Sequence, residues 1–156
     1  MGVGILAPVP ATILLSAMQT CAEAGRVAFG SNAWELFDKA NREYGEGLPV
    51  MIYPTRPDDD PDKLCVPGFA TFRGTYLCTT PAKAGKHPNP AVRPLATIQG
   101  PSADTAWALF WEVADLRQLP KKDRVAITNL TAEGQKKPLA KGFLPHGPML
   151  VKASFL

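Results

Sequence analysis

The sequence is poor in the residues that build disulfide frameworks and metal sites. It contains three cysteines, Cys21, Cys65 and Cys78, and two histidines, His87 and His146. Because the number of cysteines is odd and no Cys-x-x-Cys pair occurs, neither a disulfide framework nor a zinc site is predicted. Free thiols are typical of a reducing compartment, so we expect a cytoplasmic protein. We expect no bound metal and no cofactor.

Long apolar runs are missing as well. The apolar stretch over residues 11–18 is far shorter than the ~20 residues that a membrane-spanning helix needs. Pro8 and Pro10 interrupt the segment before it, and no basic region of the kind found in secretory signals accompanies it. We therefore expect no membrane partner.

The composition that remains is that of a globular domain. Hydrophobic residues make up 46% and charged residues 20% of the 156 residues, and no internal repeat is visible. A chain of this length is typical of one domain, so residues 1–156 are interpreted as a single domain. The 16 prolines are frequent enough to divide the chain into short elements and to exclude long helices.

Charge is distributed unevenly along the chain. Residues 1–78 carry 6 basic and 9 acidic side chains, whereas residues 79–156 carry 11 basic and 5 acidic ones. This asymmetry is compatible with a face that binds a polyanion and equally with lysines on a solvated surface.

The clearest local pattern is a capped helix in the first third of the chain. Asn32 followed by Glu35 is typical of a capping box, which predicts a helix over residues 33–44 that Asn32 caps. Apolar residues recur in it at helical spacing, and Gly45 is placed to end it in a left-handed conformation. A short apolar strand over residues 50–53 follows, and Pro54 is expected to end it.

The other predicted elements are short. A helix over residues 11–24 is expected to end at Gly25, and residues 115–119 are expected to form one helical turn. Strands are predicted at residues 3–6, 27–29, 68–80, 106–113, 124–130 and 149–153. These elements indicate an α+β domain with two or three helices and a small, mixed, barrel-like sheet.

Two residues in these strands predict particular features. Gly74, in the middle of the strand over 68–80, indicates a bulge or a close approach by another backbone or a ligand. Glu112 lies in the most apolar segment, 106–113, whose alternation predicts burial on both faces. Its carboxylate must therefore find a partner or lie at an opening.

Two loops complete the chain. The segment 56–67 contains four aspartates, but it lacks the central glycine and closing glutamate of a calcium loop, so a solvated turn is expected. Residues 81–101 contain five prolines and no periodicity, which is typical of a functional or disordered loop.

Phe29-Gly30-Ser31-Asn32 stands before the predicted helix, and a glycine followed by an apolar strand ending in Tyr53-Pro54-Thr55 comes after it. This order resembles the PUA-like superfamily, in particular its EVE and YTH-related branch. The later run over residues 106–113 is similar to the strand that crosses the barrel in those domains.

This resemblance implies a module that binds nucleic acid, either RNA or single-stranded or modified DNA. It would take one modified or flipped base into a pocket beside the helix that starts at Ala33, with basic side chains contacting phosphate. The implied pocket residues are Phe29, Gly30, Ser31, Asn32, Tyr53, Thr55, Trp107 and Trp111. The implied phosphate-binding residues are Lys83, Lys86 and Arg93.

Two other functions are compatible with the sequence, which sets no oligomeric state. ASCH domains of the same superfamily include hydrolases of RNA and of nucleosides, for which Glu112, Thr55 and Lys83 form the one catalytic constellation that can be assembled. His87 and His146 are interpreted as loop histidines without a catalytic role. An enzyme is therefore the alternative to a binding module, and a protein-interaction module is the third possibility.

Overall fold

The computed structural model describes residues 2–55, 60–99 and 105–156. The fold is α+β, as predicted, with three helices in these ranges: α1 (Ala11–Ala24), α2 (Trp34–Glu43) and α3 (Leu95–Gln99). The strands are β1 (Gly2–Pro10), β2 (Val27–Ser31), β3 (Pro49–Thr55), β4 (Phe69–Ala70), β5 (Phe72–Pro81), β6 (Leu109–Gln118), β7 (Val125–Ala126), β8 (Thr131–Ala132) and β9 (Met149–Ala153).

Seven of these strands form one mixed sheet in the order β2-β6-β5-β3-β1-β9-β8. Among the described strands of this sheet, only β1 and β3 pair in parallel, and α1 lies in the connection between them together with β2 and α2. The remaining neighbours are antiparallel, and β4 and β7 form a separate antiparallel pair. The prediction of a mixed sheet is confirmed.

The sheet does not close into a barrel, so the barrel-like expectation is corrected. It ends at β2 on one side and at β8 on the other. Closure requires the two terminal strands to pair along their length. Strand β8 has only two residues, and the carbonyl of Ala28 in β2 accepts a hydrogen bond from a side chain, the guanidinium of Arg93.

Pro8 and Pro54 lie inside strands, whereas Pro10, Pro49 and Pro81 lie at strand ends. Strand β1 pairs with β9 over residues 2–6 and with β3 over residues 5–10. Strand β3 pairs with β5 over residues 49–52. Pro8 and Pro54 therefore lie where their strand has a neighbour on one side, and the missing N–H of proline costs no ladder bond there. The expectation that Pro54 ends its strand was wrong for this reason.

Alternating side chains of the central strands fill two cores. Ile5, Val50 and Trp111 face the core that α1 and α2 cover, whereas Leu6 and Met51 face a second core beside β7 and β9. The pleat sends successive residues to opposite faces, so one sheet separates both cores.

Helix α1 confirms its predicted span and its buried face. Leu14, Ala17 and Cys21 are buried against the sheet. Gly25 ends the helix in the left-handed region, with φ of 80°, and its N–H donates to the carbonyl of Cys21. This conformation has no steric penalty for glycine.

Helix α2 begins at Trp34, and the predicted Asn32 cap was wrong. Ala33 occupies the cap position without a side-chain hydrogen bond, because Asn32 lies one residue too early and bonds elsewhere. The predicted apolar stripe is nevertheless present, with Phe37 and Ala40 buried in the first core. Gly45 has φ of 72° and donates to the carbonyl of Ala40, as expected of a helix end.

Strand β6 differs most from its prediction. It starts at Leu109 and continues to Gln118, so the helical turn expected over residues 115–119 is absent from this described part of the chain. The ten residues of β5 pair along β6 as far as Phe72 opposite Gln118, and this tertiary pairing overrides the weak local preference. Leu109 to Val113 are buried on both faces, as predicted. Residues 106–108, which were predicted to belong to this strand, precede it, and Ala106 and Ala108 are exposed.

Three other segments also differ in detail. Residues 124–130 form the two-residue β7 and a 3-10 turn (Ile127–Asn129) rather than one strand. The loop 81–101 contains a 3-10 turn (Pro90–Val92) and α3. In the loop 56–67, the carboxylate of Asp60 accepts from the N–H groups of Leu64 and Cys65, while residues 56–59 lie outside the described ranges.

Among the described residues, none of the helices is long and apolar enough to cross a membrane. In the same part of the chain, no group of three or more His, Cys, Asp or Glu side chains is arranged to hold a metal ion.

Gly74 confirms its predicted role and yields a stability test. The β5–β6 register shifts between Arg73 and Thr75, and a Cβ on Gly74 would overlap Cγ1 of Val113 and lie 3.1 Å from the carbonyl oxygen of Ala114. We expect Gly74→Ala to lower the free energy of unfolding by about 1–3 kcal/mol, because the stiff valine and the backbone cannot move aside without strain.

Urea titration of Gly74→Ala beside Gly147→Ala measures this effect. Among the described residues, no atom lies within 4 Å of a Cβ placed on Gly147, so that variant is the matched control and should unfold at the wild-type urea concentration. Equal midpoints for the two variants would contradict the close packing at Gly74.

Candidate functional site

An open cleft of about 1350 Å³ lies beside the free edge of β2. One wall is the exposed face of α1, and the other is formed by the turn after β2 together with Trp107. The 3-10 turn Pro90–Val92 and α3 form the third side. Leu15, Leu95 and Ile98 border it as exposed apolar side chains, so most of the cleft surface is apolar.

Gly30 and Trp107 form the aromatic part of this cleft. A Cβ on Gly30 would overlap the five-membered ring of the Trp107 indole, so the ring packs directly on the glycine backbone. The backbone N–H of Trp107 donates to the carbonyl of Gly85 at 3.0 Å. Trp107 is only partly buried. It is therefore held from behind while part of the indole stays accessible to a ligand.

Ser31 and Asn32 lie at the cleft, but their oxygen atoms are occupied. The Ser31 hydroxyl accepts from the N–H of Ala33 at 3.0 Å, and Oδ1 of Asn32 accepts from the N–H of Ala108 at 2.9 Å. Asn32 is exposed, which leaves its amide N–H groups as donors on the cleft rim. Together these bonds fix the turn between β2 and α2 against the start of β6.

Phe29 and Trp111 border the cleft from the core side. Trp111 is 2% exposed, and its ring centroid lies 5.0 Å from that of Phe29 and 5.7 Å from that of Phe37. Its surface is already used for packing, so Trp107 rather than Trp111 is the aromatic face that a ligand can reach.

Tyr53 and Thr55 are not brought to the cleft. Tyr53 belongs to the second core, on the opposite face of the sheet, and its hydroxyl donates to the carbonyl of Pro145. Thr55 ends β3 and is not part of the cleft wall. The pleat explains this separation, because Val50 and Ile52 face the first core and Tyr53 must then face away.

Arg93 is the one predicted phosphate-binding residue that borders the cleft. Its guanidinium donates to the carbonyl of Ala28 at 2.6 Å and lies 4.7 Å from the centre of the Phe110 ring. Burial lowers the pKa of Arg93 to about 10, so the group stays charged at neutral pH. Among the described residues, no acidic side chain forms an ion pair with it.

Lys83 and Lys86 lie on a tight turn behind Trp107. Their backbone N–H and C=O groups bond to each other across Ala84 and Gly85, which both have positive φ, of 52° and 79°. The ammonium of Lys86 also donates to the carbonyl of Thr105 at 3.2 Å. Both lysines are exposed, and neither belongs to the cleft wall.

Glu112 has found the partners that its buried position requires. It is 4% exposed, and it accepts hydrogen bonds from Arg26 at 3.2 Å, from His87 at 3.3 Å and from Thr80. Thr55 and Lys83 are not among its partners in the described part of the chain, so the structure does not assemble the alternative catalytic constellation.

His87 is the site residue that sequence reasoning missed. Its side chain is only 5% exposed, and its ring meets Phe110 edge-on at 5.2 Å. The flanking Lys86 and Pro88 are typical of a loop, which concealed this burial. The signal that could have found His87 was the demand of Glu112 for a donor.

The hydrogen bonds to Glu112 dominate its ionisation. Burial alone would raise the pKa of this carboxyl, but the bonds from Thr80, His87 and Arg26 outweigh burial and hold its pKa below the ordinary 4.5. Burial together with the charge of Glu112 raises the pKa of the neighbouring Cys78 thiol. Glu112 is therefore ionised at neutral pH and Cys78 is protonated.

No family model matches the chain, and no curated protein is significantly similar to it.

The lowered pKa of Glu112 predicts an acid-dependent loss of stability. The stabilisation is present above the ordinary carboxyl pKa of 4.5 and is lost as the pH falls through the lowered folded-state pKa. We expect the melting temperature of the wild type to fall more steeply below pH 4.5 than that of Glu112→Gln, which has no proton to bind there. Differential scanning calorimetry between pH 3 and 7 measures both profiles, and parallel profiles would contradict the assignment.

Proposed function

We propose that this protein binds single-stranded nucleic acid through one nucleotide held in the cleft. The base stacks on Trp107, and a phosphate contacts Arg93. The observation that carries the proposal is the pairing, in one apolar cleft, of an accessible indole with a guanidinium that lacks an acidic partner among the described residues.

The apolar walls suit a base more than a chain of phosphates. Stacking on an aromatic side chain is worth ~1–3 kcal/mol per base and does not depend on base identity. The amide of Asn32 on the rim supplies donors for a base edge. Base recognition is therefore assigned to Trp107 and Asn32, with Gly30 allowing the indole to lie flat against the turn.

The basic side chains near the cleft suit one phosphate bound inside it and weaker contacts to phosphate outside it. Arg93 and Glu23 are the charged side chains among the described residues of the cleft wall, which also includes His146. Lys83 and Lys86 lie outside it, on the turn that holds Trp107. A phosphate next to the bound nucleotide would meet this turn, whose lysines contribute affinity without base information.

A relation of this chain to PUA-like, EVE and YTH-related domains is proposed on the order of its elements. The turn over residues 29–32, helix α2 and strand β3 follow one another in the predicted order. The open sheet and the removal of Tyr53 and Thr55 from the cleft differ from the predicted barrel and pocket wall. A hydrolase is not proposed, because all the contacts of Glu112 described above are to groups that hold it in place.

Removing the indole tests base stacking. We expect Trp107→Ala to weaken binding of a fluorescent single-stranded oligonucleotide by ~1–3 kcal/mol, which is roughly fivefold to 150-fold in Kd. Trp34→Ala is the matched control, because Trp34 is 60% exposed and lies outside the cleft wall. Fluorescence anisotropy measures both variants at one salt concentration, and equal Kd values for them would refute the stacking role.

Neutralising Arg93 tests the phosphate contact. We expect Arg93→Gln to weaken binding roughly tenfold to 100-fold and to reduce the slope of log Kd against log salt by ~0.7, the value for one phosphate of a single strand. The amide of glutamine keeps a donor for the carbonyl of Ala28. Lys121→Gln, an exposed change in the 3-10 turn after β6, is the control for loss of one positive charge. An unchanged slope in Arg93→Gln beside unchanged Lys121→Gln would contradict a contact to phosphate.

A further inference from the structure

A buried network joins the centre of the sheet to one wall of the cleft. It starts at Glu112 in β6, whose carboxylate collects donors from three segments: Arg26 before β2, Thr80 in β5 and His87 in the loop beyond β5. The side chains of Glu112 and His87 are 6% and 5% exposed. A pair buried to this extent is costly to break, because the partner that remains is left without its hydrogen bond.

Both nitrogens of the His87 ring are occupied. The backbone N–H of Asn89 can only donate, and its nitrogen lies 2.8 Å from Nδ1 of His87, so Nδ1 is the acceptor. Nε2 of His87 therefore carries the proton that faces Glu112. The ring is therefore fixed in one tautomer and one orientation, and no lone pair is left to take a proton from a substrate.

From His87 the network continues into the cleft wall. Oδ1 of Asn89 accepts from the N–H of Ala91 at 3.1 Å and so caps the 3-10 turn Pro90–Val92. The backbone N–H of Arg93 then donates to the carbonyl of Pro90 at 3.1 Å. Pro90, Ala91 and Arg93 all border the cleft, so this series of hydrogen bonds connects Glu112 to the cleft wall.

The ring of Phe110 provides a second connection. His87 meets it edge-on at 5.2 Å, and the guanidinium of Arg93 lies 4.7 Å from its centre. Val92 is buried against the same ring together with Ala28. His87 and Arg93 thus pack on the same aromatic ring, so a rotation of His87 would disturb the packing of Arg93.

We propose that Glu112 and His87 are positioning residues of the cleft. They contact no ligand, and they act by holding the segment 89–93 so that Arg93 faces the cleft in one orientation. The effect on ligand affinity rests on the proposed function, whereas the effect on the segment 89–93 does not. Preorganised contacts bind more tightly because less ordering remains to be done on binding.

Amide hydrogen exchange without ligand tests the positioning role directly. We expect Glu112→Gln to speed exchange at Asn89, Ala91 and Arg93 about tenfold, because the amide has one oxygen for the several donors that the carboxylate accepted. Ala96, whose N–H donates to the hydroxyl of Ser16 at 3.1 Å, is held independently and should change less.

Glu133→Gln is the matched control. Glu133 accepts from Lys39 and Tyr44, and its pKa is also lowered, first by the bond from Lys39. This carboxylate joins α2 to the segment after β8, away from the cleft wall. Its variant should leave exchange at residues 89–93 unchanged.

A second pair of variants keeps the test decisive if Glu112→Gln does not fold. His87→Ala should speed exchange at residues 89–93 as Glu112→Gln does. His87→Gln retains a donor of similar reach for Glu112 and should restore part of the protection, which a general loss of stability would not do. Wild-type exchange at residues 89–93 in both Glu112→Gln and His87→Ala would overturn the positioning role.

Oligonucleotide binding then separates the two proposals. If the wild type binds, we expect Kd of Glu112→Gln and His87→Ala to rise roughly fivefold and that of Glu133→Gln to stay the same. Faster exchange without any change in Kd would overturn the effect on affinity. If the wild type does not bind, the proposed function fails, and the exchange data alone still decide whether Glu112 and His87 hold the cleft wall.

Discussion

A carboxylate buried in the most apolar strand is the constraint on which this side of the molecule depends. Glu112 lies at the centre of β6, where ionisation is unfavourable unless several donors surround it. The fold supplies them from β5, from the residue before β2 and from the loop after β5. One buried charge therefore joins three segments that are far apart in the chain, and the loop that it holds becomes a wall of the cleft.

The same loop protects the edge of the sheet. Arg93 takes the carbonyl of Ala28 on the outer side of β2, so an edge that could pair with another chain is partly covered by a side chain. Arg93 also borders the cleft, whose walls are mostly apolar. Edge protection and ligand binding are thus combined in one residue, and both require the segment after His87 to be well ordered.

Local patterns predicted the elements well where sequence neighbours decide the structure. Helix α1, its end at Gly25, the apolar face of α2 and the close packing at Gly74 all follow from spacing and from the conformational freedom of glycine. The helical turn expected over residues 115–119 failed because pairing with β5 continues to Gln118. The cap expected at Asn32 failed because the backbone N–H of Ala108, the residue before β6, donates to the same oxygen.

The sequence by itself determined an α+β fold with a mixed sheet, the burial of residues 109–113, the need of Glu112 for partners and the turn that borders the cleft. Tertiary structure alone decided which residues meet there. The pleat places Tyr53 on the opposite face of the sheet, and Trp111 is buried in the first core. Trp107 packs on Gly30 and keeps part of its indole accessible. The physical reason is that alternation along a strand fixes which residues share a face, whereas only the packing of helices and loops fixes what covers each face.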